Sequence, residues 1–297
     1  MTDTIVETSQ LFKSFTGKPA LCGLDLHVPA GSIFGFLGRN GAGKTTTIKT
    51  LMGLLKPDSG NAHVFGIPVA DADRSIEIRR RIGLVTEDKE LYPYMTVEQI
   101  IQFTRPFFPK WRQDLEQHYL KMFDLPPKRK ISGLSKGMRS KLMLLLAISR
   151  GAELLILDEP TDGLDPVAIE DILREIVALA ATSGTTIFFS SHQLSEVEQI
   201  ADHIGIINQG KMIVAGSLDD MKVRYQRLRV VFQNSIEMPV HWEDGVESVQ
   251  QSGREASILV SRNSEAIVRQ VQAIPGTAVE QFPVTLKEIF LEHVRSN

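Results

Sequence analysis

Sulfur, charge of one sign and long apolar runs are all scarce in this chain. Of 297 residues one is a cysteine, Cys22, which excludes an internal disulfide and a Cys-rich zinc site and suits a reducing compartment. Lysine and arginine total 33 against 36 acids, and the formal net charge of -3 lacks the basic footprint of a nucleic-acid binder. Nucleic acid is therefore not expected as a partner. The longest apolar candidate, Leu142–Ile148, is far short of the ~20 residues that cross a bilayer. The start, MTDTIVETSQLFKSF, carries early acids and no apolar stretch behind basic residues, so it does not read as a secretory signal. A cytoplasmic protein is expected, and if it works at a membrane it sits peripherally on the inner face while another polypeptide supplies the spanning part.

What is present is an ordinary globular composition, with 42% apolar residues and enough length for one large domain and a small one. Periodicity predicts β segments at Thr4–Phe12 and Leu24–Val28 around a turn at Thr16–Pro19, then a buried strand, Ser32–Leu37, running into a glycine loop. Helix Lys44–Leu55 follows, ended by the breakers KPDSG. A strand at Ile82–Thr86 leads into the aromatic stretch Tyr92–Trp111 and an amphipathic helix, Gln113–Phe123. Helices at Arg139–Ser149 and Pro166–Ala180 alternate with strands at Leu154–Leu157 and Thr185–Ser190. That alternation predicts a mostly parallel sheet flanked by helices, with ligands at the carboxyl ends of its strands. The style changes near Ser217–Arg224. Strands at Leu228–Phe232, Val246–Val249, Ala256–Ser261 and Thr277–Phe282, with helices at Ser264–Ile274 and Thr285–Arg295, predict a small α+β domain.

Three motifs carry chemistry. Gly38–Thr46, GRNGAGKTT, lies between a buried strand and a helix and satisfies the P-loop pattern. Its residues Gly38, Asn40, Gly41, Ala42, Gly43, Lys44, Thr45 and Thr46 are expected to bind nucleotide. The glycines let successive N–H groups point at phosphate oxygens, and the helix start adds its positive dipole end. Lys44 is expected to reach the β- and γ-phosphates and Thr45 to ligate Mg²⁺. Second, Asp158 and Glu159 follow four apolar residues in LLILDEP. Asp158 is placed to hold Mg²⁺, and Glu159 to orient and polarise the attacking water. Third, LSKGM at Leu134–Met138 lies between these two motifs.

In this order the motifs resemble those of ATP-binding cassette (ABC) proteins over roughly Ile5–Leu218, with LSKGM matching the LSGGQ-type signature. The resemblance implies a P-loop NTPase cassette over residues 1–220, with an antiparallel N-terminal β part and a helical insert at about 88–150, followed by an accessory domain at 221–297. It implies that His192, after TTIFFSS, contacts the γ-phosphate, and that Phe15, in LFKSFTG, stacks on adenine. Asp165 falls in the D-loop match, Gly163-Leu164-Asp165-Pro166, expected along a dimer interface. Ser135 and Gly137 are expected to serve a γ-phosphate held by a second subunit, identical or different, with the helix starting near Arg139 aimed at the same anion.

Two departures stand out. Lys136 and Met138 replace a glycine and the glutamine of the usual signature; Lys136 either attracts phosphate or is a solvated side chain. Glu87 stands where the family has the Q-loop glutamine, and as a carboxylate it can ligate Mg²⁺ or accept from water but cannot donate. Phe103, Phe107, Phe108 and Trp111 read chiefly as insert core, or else as a groove for a permease helix. The spellings LYPYMTVEQ, LSKGM and TDGLDP resemble the bacterial drug- and antibiotic-efflux branch. The expected function is an ATP-hydrolysing subunit that dimerises around two ATP molecules and powers transport by a separate integral membrane permease. A non-transport ABC ATPase or an ATP-gated regulator is the alternative. The accessory domain is read as a dimer stabiliser or a ligand sensor.

Overall fold

The computed structural model describes residues 4–71, 73–86, 91–233, 242 and 244–295. The chain divides into two compact units, Met1–Ala215 and Gly216–Asn297.

The first unit begins with a long hairpin, β1 (Thr4–Phe15) and β2 (Lys18–Pro29), turning at Thr16 and Gly17. With β4 (Ser59–Val64) and the short β5 (Ile67–Pro68) it forms an antiparallel sheet in the order β2-β1-β4-β5. Between them in sequence, β3 (Ile33–Leu37), buried at all positions, and α1 (Lys44–Leu51) bracket the glycine loop. Helix α1 stops short of the expected Leu55. The chain turns at Met52 and Gly53, and the N–H groups of Leu54 and Leu55 both fold back onto Lys49 O.

A second sheet has the order β10-β9-β3-β8-β7-β6, built from β6 (Ile82–Val85), β7 (Leu154–Asp158), β8 (Thr186–Ser191), β9 (His203–Asn208) and β10 (Lys211–Ser217). Pairing is parallel from β9 through β3, β8 and β7 to β6. Helices α2 (Ser75–Arg81), α3 (Val97–Thr104), α4 (Gln113–Met122), α5 (Lys136–Ser149), α6 (Pro166–Ser183) and α7 (Leu194–Ile200) complete the unit. Residues Val97–Thr104 lie inside the aromatic stretch, where a capping box at Thr96 and Gln99 starts a helix that hydrophobic spacing alone does not announce.

The two sheets share a core in which Phe188 lies against Phe34 and Phe36, with ring centroids 5.7 and 5.2 Å apart. Fully buried strands on both faces are what parallel packing under helices demands, and they explain runs such as LLIL with no polar alternation.

The second unit consists of α8 (Leu218–Arg224), β11 (Gln226–Phe232), β12 (Val246–Ser252), β13 (Glu255–Val260), α9 (Ser264–Gln272), β14 (Thr277–Pro283) and α10 (Leu286–Arg295). Its sheet is antiparallel, in the order β12-β13-β11-β14. Ile267 and Val271 of α9 pack on the apolar face offered by Leu228, Val230 and Ile258. Among the described residues no helix is long and apolar enough to cross a membrane.

Because Phe188 is fully buried between two aromatic neighbours, Phe188→Ala is expected to lower unfolding stability by about 3–5 kcal/mol, read as a reduced urea midpoint at unchanged slope.

Candidate functional site

Parallel pairing puts three strand ends side by side. Leu37 of β3 lies opposite Ser191 of β8, and Ser190 lies opposite Asp158 of β7. Gly38, Glu159 and His192 follow directly, and the cleft above them, about 360 Å³, is lined among others by Asn40, Gly41, Gly43, Lys44, Thr45 and Thr46.

Glycine is required in the loop for two different reasons. A Cβ at Gly38 would lie 2.7 Å from Ile207 O, so the chain passes too close to β9 for any side chain. Gly43 has φ 115°, a left-handed conformation, and a Cβ there would meet Ala20 O at 2.8 Å. As the residue capping α1, Gly43 offers no side-chain acceptor, and the first turn of the helix contains no acid. The N–H groups at this helix start are left for an anion in the cleft.

Lys44 is only 7% exposed. Its Nζ donates to Gly38 O at 2.8 Å and lies 3.3 Å from Glu159 Oε1. The other carboxylate oxygen, Glu159 Oε2, accepts from the backbone N–H of His192 at 3.2 Å and lies 2.8 Å from His192 Nδ1. A carboxylate accepts, so His192 Nδ1 is the donor in this contact. Glu159 itself has φ 49°, a left-handed value costly for a non-glycine residue. Its N–H is held by Ser190 O and Ser190 Oγ, both at 3.2 Å.

Asp158 accepts from Ser190 Oγ at 2.6 Å through Oδ1 and from Thr45 Oγ1 at 3.1 Å through Oδ2. A hydroxyl and a carboxylate oxygen meeting at the cleft are hard donors of the kind Mg²⁺ takes alongside phosphates and water. Among the described residues no cluster of three or more His, Cys, Asp or Glu side chains is placed to hold a metal by itself.

The remaining expected residues lie elsewhere. Phe15 is exposed at the end of β1, with the Lys13 ammonium 5.7 Å from its ring centre, and is not part of the cleft lining. Ser135, Gly137 and Asp165 do not line the cleft either. Ser135 caps α5, its Oγ accepting from Met138 N at 3.1 Å, so the helix begins at Lys136 and not near Arg139 as expected. Asp165 caps α6 by accepting from the N–H groups of Val167 and Ala168. Glu87 lies outside the described residues.

Lys136 is a half-exposed side chain. It pairs with Asp162 at 2.9 Å, and Asp162 also lines the cleft. The lysine crosses above Gly163, whose φ is 67° and where a Cβ would collide with Lys136 Nζ. The insert aromatics also depart from a core reading. Phe103 and Phe107 are 46% and 59% exposed, and they continue an edge-packed row from Tyr92, itself beside Tyr94. Phe108 is half-buried, stacked on the Arg150 guanidinium, which sits 4.2 Å from its ring centre. Ser190, Thr161, Asp162 and Glu196 also lie at or behind the cleft, and local sequence spacing does not mark them. The only signal in sequence was that polar residues, Ser190 and Ser191, end an otherwise apolar strand.

A glycine loop between a buried parallel strand and an uncapped helix, facing a strand-end acid pair, defines a P-loop nucleoside triphosphatase. Comparison with known proteins narrows that class. The family model for ABC transporters matches residues 21–162. The bacitracin transport ATP-binding protein BcrA of Bacillus licheniformis is 39% identical over 226 residues, covering 75% of this chain and 73% of that protein. The ABC transporter ATP-binding protein YtrB of Bacillus subtilis (strain 168) is 26% identical over 287 residues and covers 97% of both chains. A solved ATP-binding subunit of an ABC transporter shares the fold with a TM-score of 0.68 at 30% identity, over 74% of this chain and 92% of that one. The chain belongs to the ABC transporter family, as an ATP-binding subunit that hydrolyses ATP.

Ser190 and Lys136 should separate structural from superficial contacts. Ser190→Ala strands a buried Asp158 oxygen and is expected to cost about 1–3 kcal/mol. Lys136→Ala removes an exposed ion pair and is expected to shift stability by no more than about 0.5 kcal/mol. Parallel denaturant titrations of the two variants measure both.

Proposed function

We propose that this chain is the ATPase subunit of an efflux transporter of the drug- and antibiotic-export branch, working as a dimer beneath a separate integral membrane permease. The observation that carries the hydrolytic part is the buried Glu159 carboxylate held between Lys44 and His192 at the cleft. Lys44 is paired with Glu159 in the cleft. A γ-phosphate entering beside Lys44 takes over as its anion, and Glu159 is released to accept the proton of an attacking water. His192 keeps Glu159 aligned through Nδ1 and offers its other ring edge to the phosphate.

Thr45 and Asp158 are the residues that would hold Mg²⁺, with Glu87 a further candidate. When bound, the ion would supply positive charge to offset the charge that develops on the phosphate oxygens. Phe15 is assigned to the adenine ring. Ser135 and Gly137 stand at a helix start outside their own cleft, which suits service to a nucleotide on a second subunit, the same chain or a related one. Asp165 belongs to that interface. The second unit, 216–297, is assigned to strengthening the dimer.

Transport is supported by the bacitracin transport relative. The exposed row Tyr92, Tyr94, Phe103 and Phe107 is the kind of apolar patch that marks a protein contact, and it is assigned to the permease. Peripheral attachment to the inner membrane face follows from that partner.

Three measurements test the reading. Glu159→Gln is expected to keep ATP affinity within about 3-fold while turnover falls about 10²–10⁴-fold, the range of a lost general base; turnover near wild type refutes the assignment. Lys44→Ala is expected to weaken ATP binding at least about 10-fold, because a charge-assisted contact to phosphate is lost; calorimetry gives the value. Coexpression with an integral membrane protein, should one be encoded beside this chain, is expected to raise ATPase activity. A chain that hydrolyses ATP at full rate as a monomer, or copurifies with no membrane protein, favours the non-transport alternative.

A further inference from the structure

A second carboxyl group lies behind Glu159 and His192, and the proposed chemistry does not use it. Glu196, on α7, is 4% exposed. Its Oε2 accepts two hydroxyl protons, from Thr161 Oγ1 at 2.7 Å and from Ser191 Oγ at 3.1 Å. Its Oε1 is buried with no hydrogen-bond partner.

Both hydroxyls occupy telling positions. Thr161 lies in the turn that leaves Glu159, and Ser191 immediately precedes His192; both are buried. Ser191 Oγ in turn accepts from Gln193 N at 2.9 Å, so the same contact reaches the peptide on the far side of His192. One carboxyl oxygen thus fastens the segment carrying Glu159 to the segment carrying His192. The fastening is needed, because Glu159 sits in a left-handed conformation that its own preferences do not hold.

A stranded buried oxygen is a cost that an apolar residue at 196 would avoid. Burial holds the Glu196 carboxyl above the usual carboxylate range, and the nearby Glu159 charge acts in the same direction.

We infer that Glu196 is a positioning residue for ATP hydrolysis: through Thr161 and Ser191 it fixes Glu159 against His192, and it does so as a hydrogen-bond acceptor and not by its charge. The inference rests on the reading that Glu159 and His192 serve hydrolysis.

The test uses the purified full chain with steady-state ATPase, ATP titration and a thermal melt. Glu196→Gln keeps an acceptor oxygen and is expected to retain kcat within about 3-fold. Glu196→Ala is expected to lower kcat about 10–100-fold with KM for ATP within about 2-fold, the pattern of a displaced reacting group with binding intact. Should Glu196→Ala not fold, the Thr161 pair carries the test: Thr161→Val is expected to lose kcat as Glu196→Ala would, and Thr161→Ser, which restores the hydroxyl, to recover it. Wild-type kcat in Glu196→Ala or in Thr161→Val overturns the inference, as does a Glu196→Gln as impaired as Glu196→Ala. Glu159→Gln measured in parallel separates the two levels. If it still turns over ATP at the wild-type rate, the catalytic reading has failed; if it is inactive while Glu196→Ala is unimpaired, only the role of Glu196 has.

Discussion

The Lys44 ammonium is a cation placed where water scarcely reaches, and the rest of the site is arranged around that fact. A buried charge is tolerable only with close partners, here the Gly38 carbonyl and the Glu159 carboxylate. The carbonyl partner exists because the loop curls back on itself, which Gly38 and Gly43 permit. The carboxylate partner exists because β7 ends beside β3's neighbour, β8. Removing the carboxylate would leave an uncompensated charge inside the protein. A phosphate that takes the place of Glu159 beside Lys44 therefore finds the lysine already desolvated.

The sheet supplies the precision. Parallel pairing in the order β3-β8-β7 brings one strand end from each of three distant stretches of chain to the same edge. Ser190, on the central of these strands, holds both Asp158 and the N–H of Glu159. Thr45, from α1, reaches Asp158 from the opposite side. Asp158 and the backbone of Glu159 are thereby held by contacts within the protein, the preorganisation that electrostatic catalysis uses.

How much of this could be read from sequence depended on how local each cause was. The P-loop, the acid pair and the alternation of strands and helices are written in consecutive residues, and they are visible because a backbone turn or a buried strand constrains its own residues. Ser190, Thr161 and Glu196 act through contacts between segments far apart in sequence, and a lone serine or glutamate carries no local mark of that. Short polar strands such as Ser59–Val64 have too little apolar spacing to register. The start of α5 was misplaced because Lys136 and Gly137 look like loop residues, while the cap is made by Ser135. Phe103 and Phe107 fit either a core or a groove by composition, since aromatic residues are usually buried, yet they stand exposed in a row.

The crossing of Lys136, at the start of α5, over Gly163, in the turn before α6, couples two positions far apart in sequence. A side chain at 163 would meet the Cδ, Cε and Nζ of the lysine on its present path to Asp162, and the lysine would have to take another rotamer. Grafting the turn from a relative that carries a side chain at 163 therefore resets the tether between the signature segment and the cleft without any change in the motif that names it.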